Sequence, residues 1–345
     1  PPTGAAALAR PRPEPRRLKP TMTDRLKKIL FYAVACPLFF LFSLVVGAYF
    51  TFPYDHVRDF IVQEAERGGS LQLEITSLEP DWVTGVEAEG VRVATVSDDA
   101  DGPPPELLIR RANARVGLLS LLGGDTDIDY ALELDGGGTL EGNYAKSEES
   151  LHIEAEIQRV DLRRVGLIRD AIGLPMTGRL EGNIDLTVGA EAAATEGSAD
   201  LTIRNLSVAD GETALQIDGL GSSGLTLEQM NLGTLRLRAE VERGAARIQE
   251  LHADGEHAEI WGTGSVRLVQ PLQLSSVDML FRINFEDAYK TSSPRMEGLF
   301  ALLEVNPQIR PARTPNGAFQ WRIQGSFGGR MRMVPSGRAP MPEAE

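Results

Sequence analysis

Residues 151–158 read LHIEAEIQ, in which Leu151, Ile153, Ala155 and Ile157 alternate with His152, Glu154, Glu156 and Gln158. A period of two sends successive side chains to opposite faces of an extended chain, so the segment predicts a strand with one apolar and one wet face. The same period recurs at Leu71, Leu73 and Ile75, at Ile128, Tyr130, Leu132 and Leu134, and at Leu180, Ile184, Leu186 and Val188. It returns at Leu235, Leu237, Ala239 and Val241, and near the end at Phe319, Trp321, Ile323 and Phe327. Strands of a parallel sheet buried under helices on both faces would read as continuous apolar runs instead. The expectation is a mainly β protein with a large, curled, mostly antiparallel sheet. Turn signals fall at sheet-like intervals: Gly136-Gly137-Gly138, Ala209-Asp210-Gly211, the glycines at 221 and 224, and Ala253-Asp254-Gly255.

Helical patterns are few. Tyr54–Arg67 carries Val57, Phe60, Ile61 and Ala65 near helical spacing and stops at Gly68-Gly69. Asp161–Ile172 has an Asp cap and ends before Pro175, and Ser293–Leu303 is a further candidate. Nine or more strands therefore share two or three short helices. Their apolar face must be closed by the sheet itself, by a second sheet or by other apolar matter, which fits a sandwich, a barrel or an open groove. Candidate lining residues are Leu132, Ile153, Ile184, Leu237 and Ile323. A domain of about 290 residues can bury ~75% of its unfolded surface, so a sealed core is the expectation. The shortage of covering helices keeps alive an open groove suited to an acyl chain.

Residues 29–52, from Ile29 to Phe52, read ILFYAVACPLFFLFSLVVGAYFTF without a charge. That is enough to span a bilayer, and longer than the roughly 7–15 apolar residues of a cleaved signal. Ahead of it stand eight Lys and Arg against Glu14 and Asp24, a net of +6, which leaves −20 for residues 29–345 of a chain carrying −14. A basic flank stays on the cytoplasmic side. The reading is a bacterial inner-membrane protein with one span, a cytoplasmic tail at 1–28, a periplasmic β-rich domain at 53–336 and a disordered C-terminal tail at 337–345. Within the first stretch, residues 1–21 read as a disordered tail or a misassigned start, because Met22 opens MTDRLKKILFYA. The acidic remainder argues against nucleic-acid partners.

No reaction chemistry emerges. Cys36 is the sole cysteine and lies in the apolar run, so neither a disulfide within the chain nor a thiolate cluster can form. Gly219–Gly224 matches G-x-G-x-x-G, but strand-like sequence follows where a dinucleotide site needs a helix. His252 and His257 are an odd number of residues apart, which places them on opposite faces of a strand. Asp98, Asp99 and Asp101 do not have calcium-loop spacing, and G-x-S-x-G does not occur. Neither a catalytic residue, a metal site nor a cofactor is expected.

Two stretches carry a family resemblance. FPYDHVRDFIVQEAERGGSLQLEITSLEPDWVTGVEAEGVRV, with Pro80, Trp82, Gly85 and Gly90-Val91, resembles the opening of AsmA-like envelope proteins and of type II secretion system protein N. GSVRLVQPLQLSSVDMLFRINF and FALLEVNPQIRPARTPNGAFQWRIQGSFGGRMRMVPS resemble the form of protein N found in myxobacteria, and IGLPMTGRLEGNIDLTV is AsmA-like. The secretion family implies a non-catalytic accessory component of the inner-membrane machinery, with other secretion or envelope proteins as partners. The AsmA-like side implies a β-groove carrying phospholipid between membranes. The C-terminal block favours the secretion role, with lipid handling as the alternative.

Overall fold

The computed structural model describes residues 54–66, 71–82, 84–95, 106–117, 125–166, 174–191, 194–215, 225–269, 274–326 and 331–340, with Phe39, Phe40 and Ser43 ahead of them. Those three are helical, but the proposed span Ile29–Phe52 otherwise lies outside the described residues. Among the described residues no helix is long and apolar enough to cross a membrane.

Helix α1 (Tyr54–Glu66) leads into β1 (Leu71–Asp81), β2 (Gly85–Thr95), β3 (Glu106–Val116), β4 (Thr126–Leu134) and β5 (Thr139–Lys146). There follow β6 (Ser150–Asp161), β7 (Met176–Gly189), β8 (Glu196–Val208) and the two-residue strands β9 (Ala214–Leu215) and β10 (Leu225–Thr226). Then come β11 (Met230–Glu242), β12 (Ala245–Asp254), β13 (Ala258–Arg267) and β14 (Ser276–Phe285). The chain continues through α2 (Asp287–Lys290) and α3 (Pro294–Val305) to β15 (Phe319–Ser326) and β16 (Arg332–Pro335). All the strands except β9 and β10, which pair with each other, form one curled antiparallel sheet of 14 strands in chain order. Neighbours in sequence are neighbours in space, as hairpin connections favour.

One end of the strands is covered. Helix α3 begins at Ser293, whose hydroxyl accepts from the Met296 N–H at 3.2 Å, and Pro294 occupies the first turn where its missing N–H costs nothing. It buries Met296, Phe300 and Leu303 on Ile283, Ile260 and Phe319. Phe285 packs edge-on to Phe300 at 5.0 Å, and Tyr289 stacks on His257 at 5.1 Å. The Tyr289 hydroxyl donates to the Glu228 carbonyl at 2.6 Å, and burial pushes its pKa up to about 12. A smaller cluster of Ala88, Val91, Ile109, Leu134 and Val160 occupies the same end across β2–β6.

One sequence expectation changes and another is described only in part. Of the helix expected at Asp161–Ile172, the described residues show a 3₁₀ turn over Leu162–Arg164 and a helical Gly166, and residues 167–172 lie outside them. Strand β6 runs to Asp161, whose carboxylate accepts from the Arg163 N–H, so the cap signal is present but closes a short turn. The C-terminal tail expected to begin at 337 is instead packed through Pro340. Fully buried Gln320 donates from Nε2 to the carbonyls of Ser336 and Ala339, both at 2.9 Å, which anchors the segment to β15.

Phe300→Ala, which empties the covered end, should cost about 3 kcal/mol or more. Leu302→Ala, on the exposed side of the same helix, should stay within about 0.5 kcal/mol. Denaturant unfolding of the two variants measures the difference.

Candidate functional site

Residues opposite each other in an antiparallel ladder share a face. Following one line of partners from β1 to β16 gives Pro80, Val86, Ala114, Tyr130, Gly142, Ala155, Ile184, Ala199, Ala239, Ile248, Gly264, Met279, Ile323 and Met333. This rung crosses all 14 strands without a charged residue. Its single polar side chain, Tyr130, lies across Gly142 and donates its hydroxyl to the Glu154 carbonyl at 2.8 Å. Burial, and then the nearby Glu154, raise the pKa of that phenol.

The rungs on either side have the same character. Toward the covered end run Leu132, Leu140, Ile157, Gly182, Leu201 and Leu237, resuming beyond β12 with Gly262, Phe281 and Trp321. Toward the other end run Ile128, Tyr144, Ile153, Leu186, Gly197 and Val241, then Ala246, Val266 and Val277. The five residues expected to line the apolar face thus all fall in this band: Leu132 and Leu237 in one flanking rung, Ile184 and Ile323 in the centre, and Ile153 in the other.

The band is uncovered. Leu132, Leu140, Ile153, Ile184, Leu201, Leu237, Ile248 and Ile323 are only half-buried. One rung nearer the helices, Ala253 is 0%, Ile283 7% and Phe319 4% exposed. The expected sealed core therefore holds at the covered end, with a smaller buried set, Val188, Val241, Leu268 and Val277, at the other end and the band between them. Among the described residues the helices are few and short, and the second sheet is the two-residue pair β9–β10 alone. Fourteen strands ~4.8 Å apart, with the outer rungs about 13 Å apart along each strand, give a footprint on the order of 800 Å². The largest apolar patch on an ordinary soluble monomer is about 300–600 Å².

Glycines shape the band. Gly182 has φ +144°, a region other residues avoid, and a Cβ there would collide with the Asp200 carbonyl. Such kinks curve a sheet and leave low relief beneath whatever lies on it.

The opposite face is polar. A concavity of about 650 Å³ is lined by Asp129, Glu141, Glu154, Glu156, Asp185 and Asp200. Cross-strand ion pairs stud this face, among them Arg322 with Asp278 at 2.6 Å and Arg238 with Asp200 at 3.3 Å. The Arg322 guanidinium holds the Asp278 carboxyl below its usual range. Exposed pairs of this kind contribute about 0–1 kcal/mol each, so they serve solubility and register more than stability.

The histidines have separate surroundings. His257 Nδ1 accepts from the Asn231 N–H at 3.0 Å, and His252 lies beside Trp261. Among the described residues no group of three or more metal-ligating side chains converges. Residues 219–224 and Asp98, Asp99 and Asp101 lie outside the described residues, and Leu225–Thr226, which follow the glycines, are strand.

What sequence reasoning missed is the unbroken extent of the band. Five strands supplied candidates, but Ala114, Ala199, Gly142 and Gly264 are small residues that no hydrophobicity pattern singles out. Comparison with protein-family models, with curated proteins and with solved structures finds no match to this chain.

Two substitutions on one sheet test whether the band is uncovered. Ile184→Asp places a carboxylate that water can reach and should cost about 1–2 kcal/mol. Ile283→Asp, beneath α3, should cost more than about 3 kcal/mol. Equal losses in urea unfolding would mean that the band is sealed.

Proposed function

We propose that this protein binds lipid acyl chains along the uncovered apolar band of its sheet. The observation that carries this reading is the central rung, uncharged across 14 strands and half-buried except at buried Ala155 and exposed Met333. A protein partner of that footprint would be expected to exchange about one hydrogen bond per 100–200 Å². The central rung offers no free donor, because its one hydroxyl, on Tyr130, already donates to the Glu154 carbonyl. Acyl chains ask for no hydrogen bonds and tolerate low relief. The band's ~60 Å length is about four times the ~15 Å thickness of one leaflet's hydrocarbon. In this reading residues 29–52 hold the protein in an inner membrane and the β domain works in the periplasm.

The alternative, an accessory role in type II secretion, is supported by the resemblance of the C-terminal block and by the polar face, whose carboxylates suit a protein partner. In that reading photo-crosslinkers at Glu154 and Arg322 capture another envelope protein, and deletion of the gene lowers exoprotein secretion. Normal secretion in the deletion strain removes it.

Trp321 lies in the band and serves as a built-in reporter. With Trp82→Phe and Trp261→Phe it is the sole tryptophan of three. A short-chain phosphatidylcholine brominated in its acyl chains should quench its emission at least twofold, and Ile184→Asp should remove most of that quenching. Unchanged emission at saturating lipid would overturn the proposal.

A further inference from the structure

We propose that the end of the strands away from α3 docks on a lipid bilayer surface, through Trp82, Leu274 and Met331. These residues stand at three hairpin tips: Trp82 between β1 and β2, Leu274 just before β14, and Met331 just before β16. The register places all three at the same end of the strands. Pro80 pairs toward Val86 and Ala114, while Ser276 pairs with Ser326 and Arg332 with Gln324. They are 76%, 66% and 51% exposed.

Trp82 is the most informative of them. Its φ is +57°, in the left-handed region that suits Gly or Asn and is a true outlier for a bulky side chain. A tryptophan there adds little to the core and is held in a costly conformation, so its value lies outside the domain. Tryptophan is also the side chain most at home at a membrane interface, and methionine adapts readily to irregular apolar surroundings.

The spacing selects the partner. Trp82 stands at one edge of the 14-stranded sheet, and Leu274 and Met331 stand near the other. A protein interface gathers its apolar anchors into one central cluster. A bilayer accepts anchors at any separation, since it is fluid and apolar throughout its interior. The intervening tips carry exposed charges of both signs, Glu148, Glu149 and Glu191 beside Lys146 and Arg243, which suits a zwitterionic surface.

The apolar band also runs into this region, because its central rung ends at Met333, 62% exposed and two residues from Met331. Docking would therefore bring the band's edge to the membrane. That purpose rests on the acyl-chain reading, whereas the docking itself does not.

The test uses the full chain in phosphatidylcholine nanodiscs, with Cys36→Ser and one new cysteine at a time carrying an environment-sensitive fluorophore. The tip positions are Trp82→Cys, Leu274→Cys and Met331→Cys, and the controls are Glu148→Cys and Glu191→Cys. Added phosphatidylcholine vesicles containing brominated lipid should quench the three tip labels at least threefold more than the controls. A paired Trp82→Asp and Met331→Asp change should abolish quenching at position 274. Equal quenching at all five positions, or none, would overturn the proposal. So would a change that appears without vesicles and grows with protein concentration, since that marks a second copy as the partner. Quenching of Trp321 by monomeric brominated lipid, measured on the nanodisc-held protein, reports the band alone, so a failure of docking and a failure of acyl-chain binding are read separately.

Discussion

Strand register is the constraint on which everything else depends. A shift of one residue in any ladder would turn that strand's apolar side chains to the wet face and bring its carboxylates into the band. The chain nevertheless tolerates irregularities, because they fall where they preserve the faces. Beside Arg159, Asn205 and Gly233, all with φ between +51° and +67°, the apolar side chains are three apart in sequence. The pairs are Ile157 and Val160, Ile203 and Leu206, and Leu232 and Leu235. An odd step should send the second residue to the wrong side. The extra residue of each bulge restores it, and Val160 and Leu206 end up 5% and 2% exposed. These bulges lie near the covered end, beside the layer that the helices and connecting segments close. Beyond them toward the open end, the period of two runs without a break through the central rung in β6, β7 and β8.

This arrangement divides the sheet into two energetic regimes. At the covered end the aromatic residues Phe285, Tyr289, Phe300 and Phe319 interlock with ring centroids 5.0–6.2 Å apart, and burial of each large side chain contributes about 1.5–3 kcal/mol. In the band the same residue types gain only part of that, because one side of each still meets solvent. The fold is therefore held mainly by its ladders and its covered end. The band can be occupied or left empty without being needed to define the structure.

The sequence made the fold legible where alternation was strict. LHIEAEIQ in β6 and the corresponding run in β11 are strands in the expected orientation, and both the helix after residue 54 and the one after Ser293 stand where their spacing and caps put them. It was less informative at the bulges, where apolar residues three apart imitate helical spacing. At Asp161 the cap signal closes the 3₁₀ turn at Leu162–Arg164, which no spacing of apolar residues distinguishes from the start of a longer helix. For the site, five lining positions could be read from single strands, but the continuity of the band could not. Continuity belongs to the pairing of Ala155 with Ile184, or of Ile248 with Gly264, and no single strand encodes its partner. The exposed Trp82 was visible only as a letter in a turn; its left-handed backbone and its alignment with Leu274 and Met331 exist only in three dimensions.

A sheet this long could have closed on itself or folded into two packed layers, and either would have buried the apolar face. Two features work against both outcomes. Among the described residues the meander leaves only the two-residue pair β9–β10 outside the large sheet, and closure would require β1 and β16 to pair. Strand β1 has α1 lying against it, while β16 is only four residues long and pairs with only half of β15. A short edge strand with Pro335 at its end and α1 beside the opposite edge are the devices by which sheets avoid joining edge to edge. Closure is thus opposed at both margins while the interior stays apolar. An exposed apolar strip is a hazard in water unless something apolar regularly lies on it, so the same features that keep the sheet open imply an occupant. An occupant that must enter and leave is better served by small residues and glycines than by deep pockets, because a smooth floor holds many similar chains about equally well and traps none of them.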